Sequence, residues 1–304
     1  MRRMRSLVLF LMLGAVVGAC GSTGGSSTAP GGSALTSGSG DPGSAECVKG
    51  SMALAGSTAL QPLLSDAAEA YMKHCPDGAI MINGGGSGIG LTQVSQGAVD
   101  AGSSDIIAAA KLPAGDSATL VDHVVCRQAW VVATNKDVTG ITNLTTDQQR
   151  QIWSGKVTNW SAVGGPDLPI VLIVRPASSG TRYVFQQVVL GGTVINDTVG
   201  QLLTEDSNGA VVTAVSKTSG AISVIGLAYY NVPANKAQLN GLQLDGVDAT
   251  IANVDNKTYE LAAEGHVYTK GEASGLTKAF LDFMLSDEVQ KTIVPKDSYG
   301  SVTG

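Results

Sequence analysis

The chain has 304 residues and carries 19 Lys and Arg against 25 Asp and Glu, a formal net charge of −6. Nucleic-acid surfaces depend on clustered Lys and Arg, so this balance argues against nucleic acid as a partner. The histidines His74, His123 and His266 are scattered at spacings that make no ligand set, and neither a metal nor another cofactor is expected.

Residues 1–19 read as a signal peptide: Arg2, Arg3 and Arg5 precede an apolar run from Leu7 to Val17 that is too short to span a bilayer. Val17-Gly18-Ala19 before Cys20 resembles a bacterial lipobox, in which cleavage leaves the Cys as a lipidated N-terminus. The plain alternative is a secretory signal followed by a chance Cys. Residues 20–46 favour the lipoprotein, because Gly21 to Ser44 is almost wholly Gly, Ser, Thr, Ala and Pro, a flexible tether of the kind an anchored domain needs. No later stretch is long and apolar enough to cross a membrane.

Beyond Cys20 stand Cys47, Cys75 and Cys126, an odd number that allows at most one intrachain disulfide. Cys47 with Cys75 is the favoured pair, since Cys47 precedes the first strand and Cys75 ends the first helix just before the neighbouring strand. Cys126, inside the apolar run Val124–Val132, reads as a buried small hydrophobe.

The folded part begins with a strand at Ser51–Ala55, the turn Gly56-Ser57-Thr58, and a helix whose face is traced by Leu60, Leu63, Leu64, Ala67, Ala68 and Tyr71. Ile80–Ile82 is the next strand, and the Gly-rich turn around Ser87 feeds a short helix through Leu91 and Val94. Val99 to Ile107 supplies another strand, with Gly102-Ser103-Ser104-Asp105 read as its turn. Val124–Thr134 is a long β-rich run that suits a crossing between lobes, and Thr146–Trp153 is helical. Ile170–Val174 is a short, fully apolar strand; Arg175 ends it, and Ser178, Ser179 and Thr181 are helix-capping types before Val184, Phe185, Val188 and Val189. A helix through Val211–Val215, a second crossing at Ala221–Tyr229, and an amphipathic helix from Leu276 to Val289 complete the chain. Strand, polar turn, helix recurs three times, which specifies an α/β fold with a mainly parallel sheet and ligands at the carboxyl ends of its strands.

The Gly-rich turn is not a nucleophile elbow, because Ile89 stands where the second Gly should follow Ser87, and it lacks the Gly-Lys-Ser/Thr ending of a P-loop. A hydroxyl at one such turn is ordinarily a helix cap. Three of them, at Thr58, Ser87 and Ser179 to Thr181, with the charge of Arg175 and the acceptor Asp105, make a cage of donors for a small tetrahedral oxyanion.

Gly56-Ser57-Thr58, Gly86-Ser87-Gly88, Asp100 to Asp105, the segment from Gln151 to Trp160 containing Gly155-Lys156-Val157-Thr158-Asn159-Trp160, Arg175 with Ser179-Gly180-Thr181-Arg182, and Gly220-Ala221-Ile222 together resemble the PstS family of phosphate-binding lipoproteins of ABC-type importers. The resemblance runs from about Met52 to about Tyr229. It implies a two-lobed type II periplasmic-binding-protein fold, each lobe a mainly parallel sheet flanked by helices, closing on phosphate. Lobe I would comprise residues 47–130 and 227–304, and lobe II residues 131–226. Carried over, Thr58, Ser87 and Asp105 are the first lobe's ligand contacts, and Arg175, Ser179, Gly180 and Thr181 the second's. Many members have an aromatic residue where this chain has Ala59; Trp153 and Trp160 are read as packing.

The expectation is therefore a monomeric, lipid-anchored extracytoplasmic protein that captures inorganic phosphate and delivers it to membrane permease subunits, without catalysis. Two alternatives stand beside it: the same fold holding sulfate, molybdate or a phosphonate, and a secreted phosphate-ester hydrolase. The hydrolase would need a nucleophile with its base or clustered metal ligands, which the sequence does not display.

Overall fold

The computed structural model describes residues 46–198 and 200–303. The expected signal peptide, Cys20 and nearly all of the expected tether lie outside the described residues. Among the described residues ten strands form the sheet: β1 Gly50–Gly56, β2 Gly78–Gly85, β3 Ala101–Ser104, β4 Leu120–Asn135, β5 Asn143–Leu144, β6 Val171–Val174, β7 Gln201–Thr204, β8 Ala221–Gly226, β9 Leu239–Leu244 and β10 Ala262–Lys270. Their order is β2-β1-β3-β10-β4-β8-β6-β7, with β9 pairing to β4 and β5.

The two flanks are parallel, β2-β1-β3 on one side and β8-β6-β7 on the other. The middle is antiparallel. In β4, Leu120 to Ala129 pairs with β10, while Trp130 to Thr134 pairs with β8 and Val132 to Asn135 with β9. A single sixteen-residue strand thus joins the two parallel halves.

The main helices are α1 Gln61–His74, α2 Ser87–Ser95, α3 Thr146–Trp153, α4 Gly180–Val188, α5 Asn208–Lys217 and α6 Gly275–Met284. In α1 the buried positions are Leu63, Leu64, Ala67, Ala68 and Tyr71, the face that the sequence spacing traces. Tyr71 packs edge-on against Phe280 and Phe283 of α6, with ring centroids 6.2 and 5.6 Å apart. α3 begins with a capping box: Thr145 accepts from the Gln148 N–H and the Gln148 side chain accepts from the Thr145 N–H. Trp153 at its end packs on Phe185 of α4, centroids 5.0 Å apart, while Trp160 is buried and donates to the Gly220 carbonyl at 2.9 Å.

Three local expectations need correction. Gly102 to Ser104 belong to β3 itself, so the turn begins at Asp105. The strand escapes an apolar-run reading because it is built of small residues: a Cβ on Gly102 would lie 2.6 Å from the Gly90 carbonyl, so α2 can rest directly on β3 only because both positions are Gly. The second crossing stops at Gly226, and Leu227–Tyr230 is one helical turn. The last amphipathic helix ends at Met284, where Leu285 takes the C-cap, and Val289–Ile293 is a separate π-helical turn. Strands β7, β9 and β10 have no counterpart among the expected elements, because Gln, Asn, Gly and Glu interrupt their apolar positions.

Cys47 and Cys75 form a disulfide, Cα atoms 5.1 Å apart, and Cys126 is a buried free thiol. His74 lies within 4.8 Å of both sulfurs, but the sulfurs are bonded to each other. Tyr71 reinforces the staple, donating to the Glu46 carbonyl at 2.7 Å and accepting from the Val48 N–H at 3.2 Å. Closing a loop with a separation of 28 residues restricts the unfolded chain, so the double substitution Cys47→Ala, Cys75→Ala is expected to cost about 3–4 kcal/mol in denaturant unfolding.

Candidate functional site

Four strand-end turns meet in one buried region. Ser57, Thr58, Ser87, Asp105, Arg175, Ser179 and Thr181 are all buried, the carboxylate and the guanidinium included. Burying ionisable groups costs free energy unless partners replace water, so their partners define the site.

Asp105 sits at its centre. Oδ1 accepts from the Ser57 hydroxyl and from Gln128 Nε2 at 3.2 Å; Oδ2 accepts from the Thr181 hydroxyl at 3.3 Å. Its backbone N–H donates to Ser87 Oγ at 2.9 Å. Burial pushes the Asp105 carboxyl up from its ordinary range, while the bonds from Ser57, Gln128 and Thr181 and the charge of Arg175 pull it back down. Burial likewise lowers Arg175, against the attraction of Asp105 and Asp206. Arg175 donates through Nη2 to the Asp206 carbonyl at 2.7 Å, and its buried Nε has no protein partner.

The turn before α4 is pressed against the first half of the chain. Gly88 N–H donates to the Ser178 carbonyl at 2.9 Å, and Lys111 Nζ to the Ala177 carbonyl at 2.9 Å. Gly180 stands where any side chain would collide: a Cβ there would fall on Ser87 Oγ and lie 2.7 Å from the Asp105 Cβ. Ser179 caps α4 by accepting from the Arg182 N–H at 3.3 Å. Arg182 is itself buried, holding the Arg175 carbonyl at 2.8 Å and the Asp197 carboxylate at 2.9 Å.

Ser87, Asp105, Gly180 and Thr181 are thus in direct contact. Thr58 is engaged elsewhere, accepting from the Asn208 N–H at 3.3 Å and from Asn208 Nδ2 at 3.2 Å. The Ala59 amide, at the position where the aromatic is missing, donates to Ser57 Oγ at 3.1 Å. Ser57, Gln128 and Asn208 are site residues that sequence reasoning did not single out. Gln128 carried a signal, as an uncharged polar residue inside the apolar run around Cys126. Asn208 carried a weaker one, as a polar residue opening a helix; its Oδ1 accepts from the Gly226 N–H at 2.8 Å, so it ties β8 to the Thr58 turn.

The α/β sheet, whose turns gather hydroxyls, a guanidinium and a carboxylate in one buried place, has the architecture of the type II periplasmic-binding-protein class. A family model for the PBP superfamily domain matches residues 41–288. The phosphate-binding protein PstS of Bacillus subtilis is 38% identical over 300 residues, covering 98% of this chain and 94% of that protein. A phosphate ABC transporter substrate-binding protein of Clostridium perfringens, solved with bound phosphate, superposes with a TM-score of 0.74 at 30% identity, covering 84% of this chain and all of that one. An ABC-type phosphate transport receptor of Vibrio cholerae gives a TM-score of 0.64 at 26% identity, over 83% of this chain and all of that one. The chain belongs to the PstS family of phosphate-binding proteins within the PBP superfamily.

The raised Asp105 pKa has a consequence for stability. A carboxyl whose folded pKa exceeds its unfolded value favours folding below the unfolded pKa and loses that contribution as pH rises through the folded one. Ionised Asp105 therefore weighs against the ligand-free fold at neutral pH. Asp105→Asn is expected to raise the ligand-free melting temperature by about 2–4 °C at neutral pH, with the gain shrinking as pH falls and the wild-type carboxyl takes up its proton.

Proposed function

We infer that this protein captures inorganic phosphate outside the cytoplasm and hands it to the permease of an ABC importer. The observation that carries this is a buried carboxylate among donors. Phosphate keeps at least one proton at neutral pH and can donate it to Asp105, whereas sulfate has none to give. A sulfate beside ionised Asp105 would set two acceptors against each other with no hydrogen between them. The same carboxylate disfavours molybdate, which is also fully deprotonated.

In this reading Thr58, Ser87 and Asp105 supply one side of the ligand cage, and Arg175, Ser179, Gly180 and Thr181 the other. The division of β4 supports two lobes: its first part pairs with β10, its second with β8 and β9. By that pairing Leu239–Leu244 goes with residues 131–226, and Ala262–Lys270 with residues 47–130. Binding involves no covalent step, consistent with relatives named as binding and transport proteins.

Competition binding tests the ligand. Wild type should prefer phosphate over sulfate by roughly 10⁴-fold, as sites built to pair a ligand hydroxyl do. Asp105→Asn should narrow that ratio, because an amide both donates and accepts; Arg175→Ala should weaken both anions together. Equal wild-type affinities would overturn the phosphate assignment.

The proposed location at the membrane surface rests on Cys20 as the lipid attachment point, and no helix among the described residues is long and apolar enough to cross a membrane. Cys20→Ser should move the protein from the detergent phase to the aqueous phase in a partition experiment. Equal partitioning of variant and wild type would remove the lipid anchor from the proposal.

A further inference from the structure

The hydrogen-bond directions around Asp105 are fixed by atoms that face away from it. Ser57 Oγ already accepts from the Ala59 N–H at 3.1 Å and the Leu60 N–H at 3.2 Å. With both lone pairs engaged, its hydrogen is left for Asp105 Oδ1. Gln128 reaches the same oxygen from β4; among the described residues its side chain makes one other hydrogen bond, a long one of 3.4 Å to the Glu264 carbonyl, and its buried Oε1 has no partner. The amide must present its donor to Asp105, because Oε1 in that place would set two acceptors against each other. Thr181 Oγ1 accepts from Trp130 Nε1 at 3.0 Å, which turns its hydrogen toward Asp105 Oδ2 at 3.3 Å, a weaker bond.

We propose that Ser57 and Gln128 are positioning residues for oxyanion selectivity: both donate to Oδ1 of Asp105, holding the carboxyl as an ionised acceptor with Oδ2 turned to the Gly180–Thr181 turn. This rests on the reading of Asp105 as the acceptor of a phosphate proton. Neither residue needs to touch the anion. If a donor is lost, burial is less well offset, and Asp105 takes up a proton at a higher pH than in wild type. A protonated Asp105 can donate, and sulfate is then admitted.

Three other titratable groups face this carboxyl. Arg175 attracts its ionised form, while the Cys126 thiol and the Tyr299 phenol are pushed up by burial and stay neutral. Of these four groups, Asp105 is the one that takes up a proton as the solution is acidified, and burial moves that uptake to higher pH.

The test measures the phosphate-to-sulfate affinity ratio between about pH 8 and about pH 5 for wild type, Gln128→Met, Ser57→Ala and Ser57→Thr, with thermal melts confirming that each folds. Gln128→Met keeps size and removes the donor; Ser57→Ala also loses the Ala59 and Leu60 contacts, so it is judged against Ser57→Thr, which keeps a hydroxyl. The ratio should fall more steeply with acid in Gln128→Met than in wild type, differing by roughly tenfold or more at the lowest pH, the worth of one hydrogen bond to a charged group. Ser57→Ala should do the same and Ser57→Thr should restore the wild-type profile. Profiles that superimpose on a strongly phosphate-selective wild type would overturn the roles of Ser57 and Gln128 while leaving the phosphate reading intact. A wild-type ratio near one would overturn both.

Discussion

The buried Asp105 carboxylate is the constraint from which the rest of the structure can be understood. An isolated ion in such a place costs several kcal/mol, so it persists only with donors drawn from separate parts of the chain. Ser57 comes from the turn after β1, Gln128 from the middle of β4 and Thr181 from the first turn of α4, with Ser87 holding the Asp105 backbone. Sequence separations of 48, 23, 76 and 18 residues are closed by this one group. Parallel strands make the convergence possible, because they deliver their following turns to the same end of a sheet.

The antiparallel centre serves that arrangement. β4 pairs with strands of both halves, and at the change of partner Trp130 donates its indole N–H to Thr181. The Trp130 carbonyl in turn accepts from the Tyr259 hydroxyl at 2.7 Å. The C-terminal segment braces the opposite side: Arg127 and Gly300 exchange backbone hydrogen bonds at 2.7 and 2.8 Å, and the Tyr299 hydroxyl donates to the Ala59 carbonyl. The turn carrying Thr58 is therefore held by residues some 240 positions away.

Much of the fold and part of the site are legible in the sequence. Local signals are strong where periodicity is clean, as in α1 and α3, and where an apolar run meets a polar turn, as at Arg175. They fail where small or polar residues make a strand, as in β3 and β10, because such strands gain their stability from neighbours that a local window does not contain. The expected site residues share a feature that any reader of turns can find, a hydroxyl or charge directly after a strand.

The sequence by itself determined the alternation of strand, turn and helix, and with it the α/β class and the kind of chemistry that Thr58, Ser87, Asp105 and Arg175 offer. The tertiary structure alone decided which hydroxyl bonds which oxygen. Ser57 and Thr58 are adjacent in the chain, yet one donates to Asp105 and the other accepts from Asn208. Gln128 becomes a partner of Asp105 only because the sheet order sets β4 one strand beyond β10 from β3. Hydrogen bonds need their atoms within a few tenths of an ångström and a defined angle, and that placement is fixed by strand register and packing across the whole sheet.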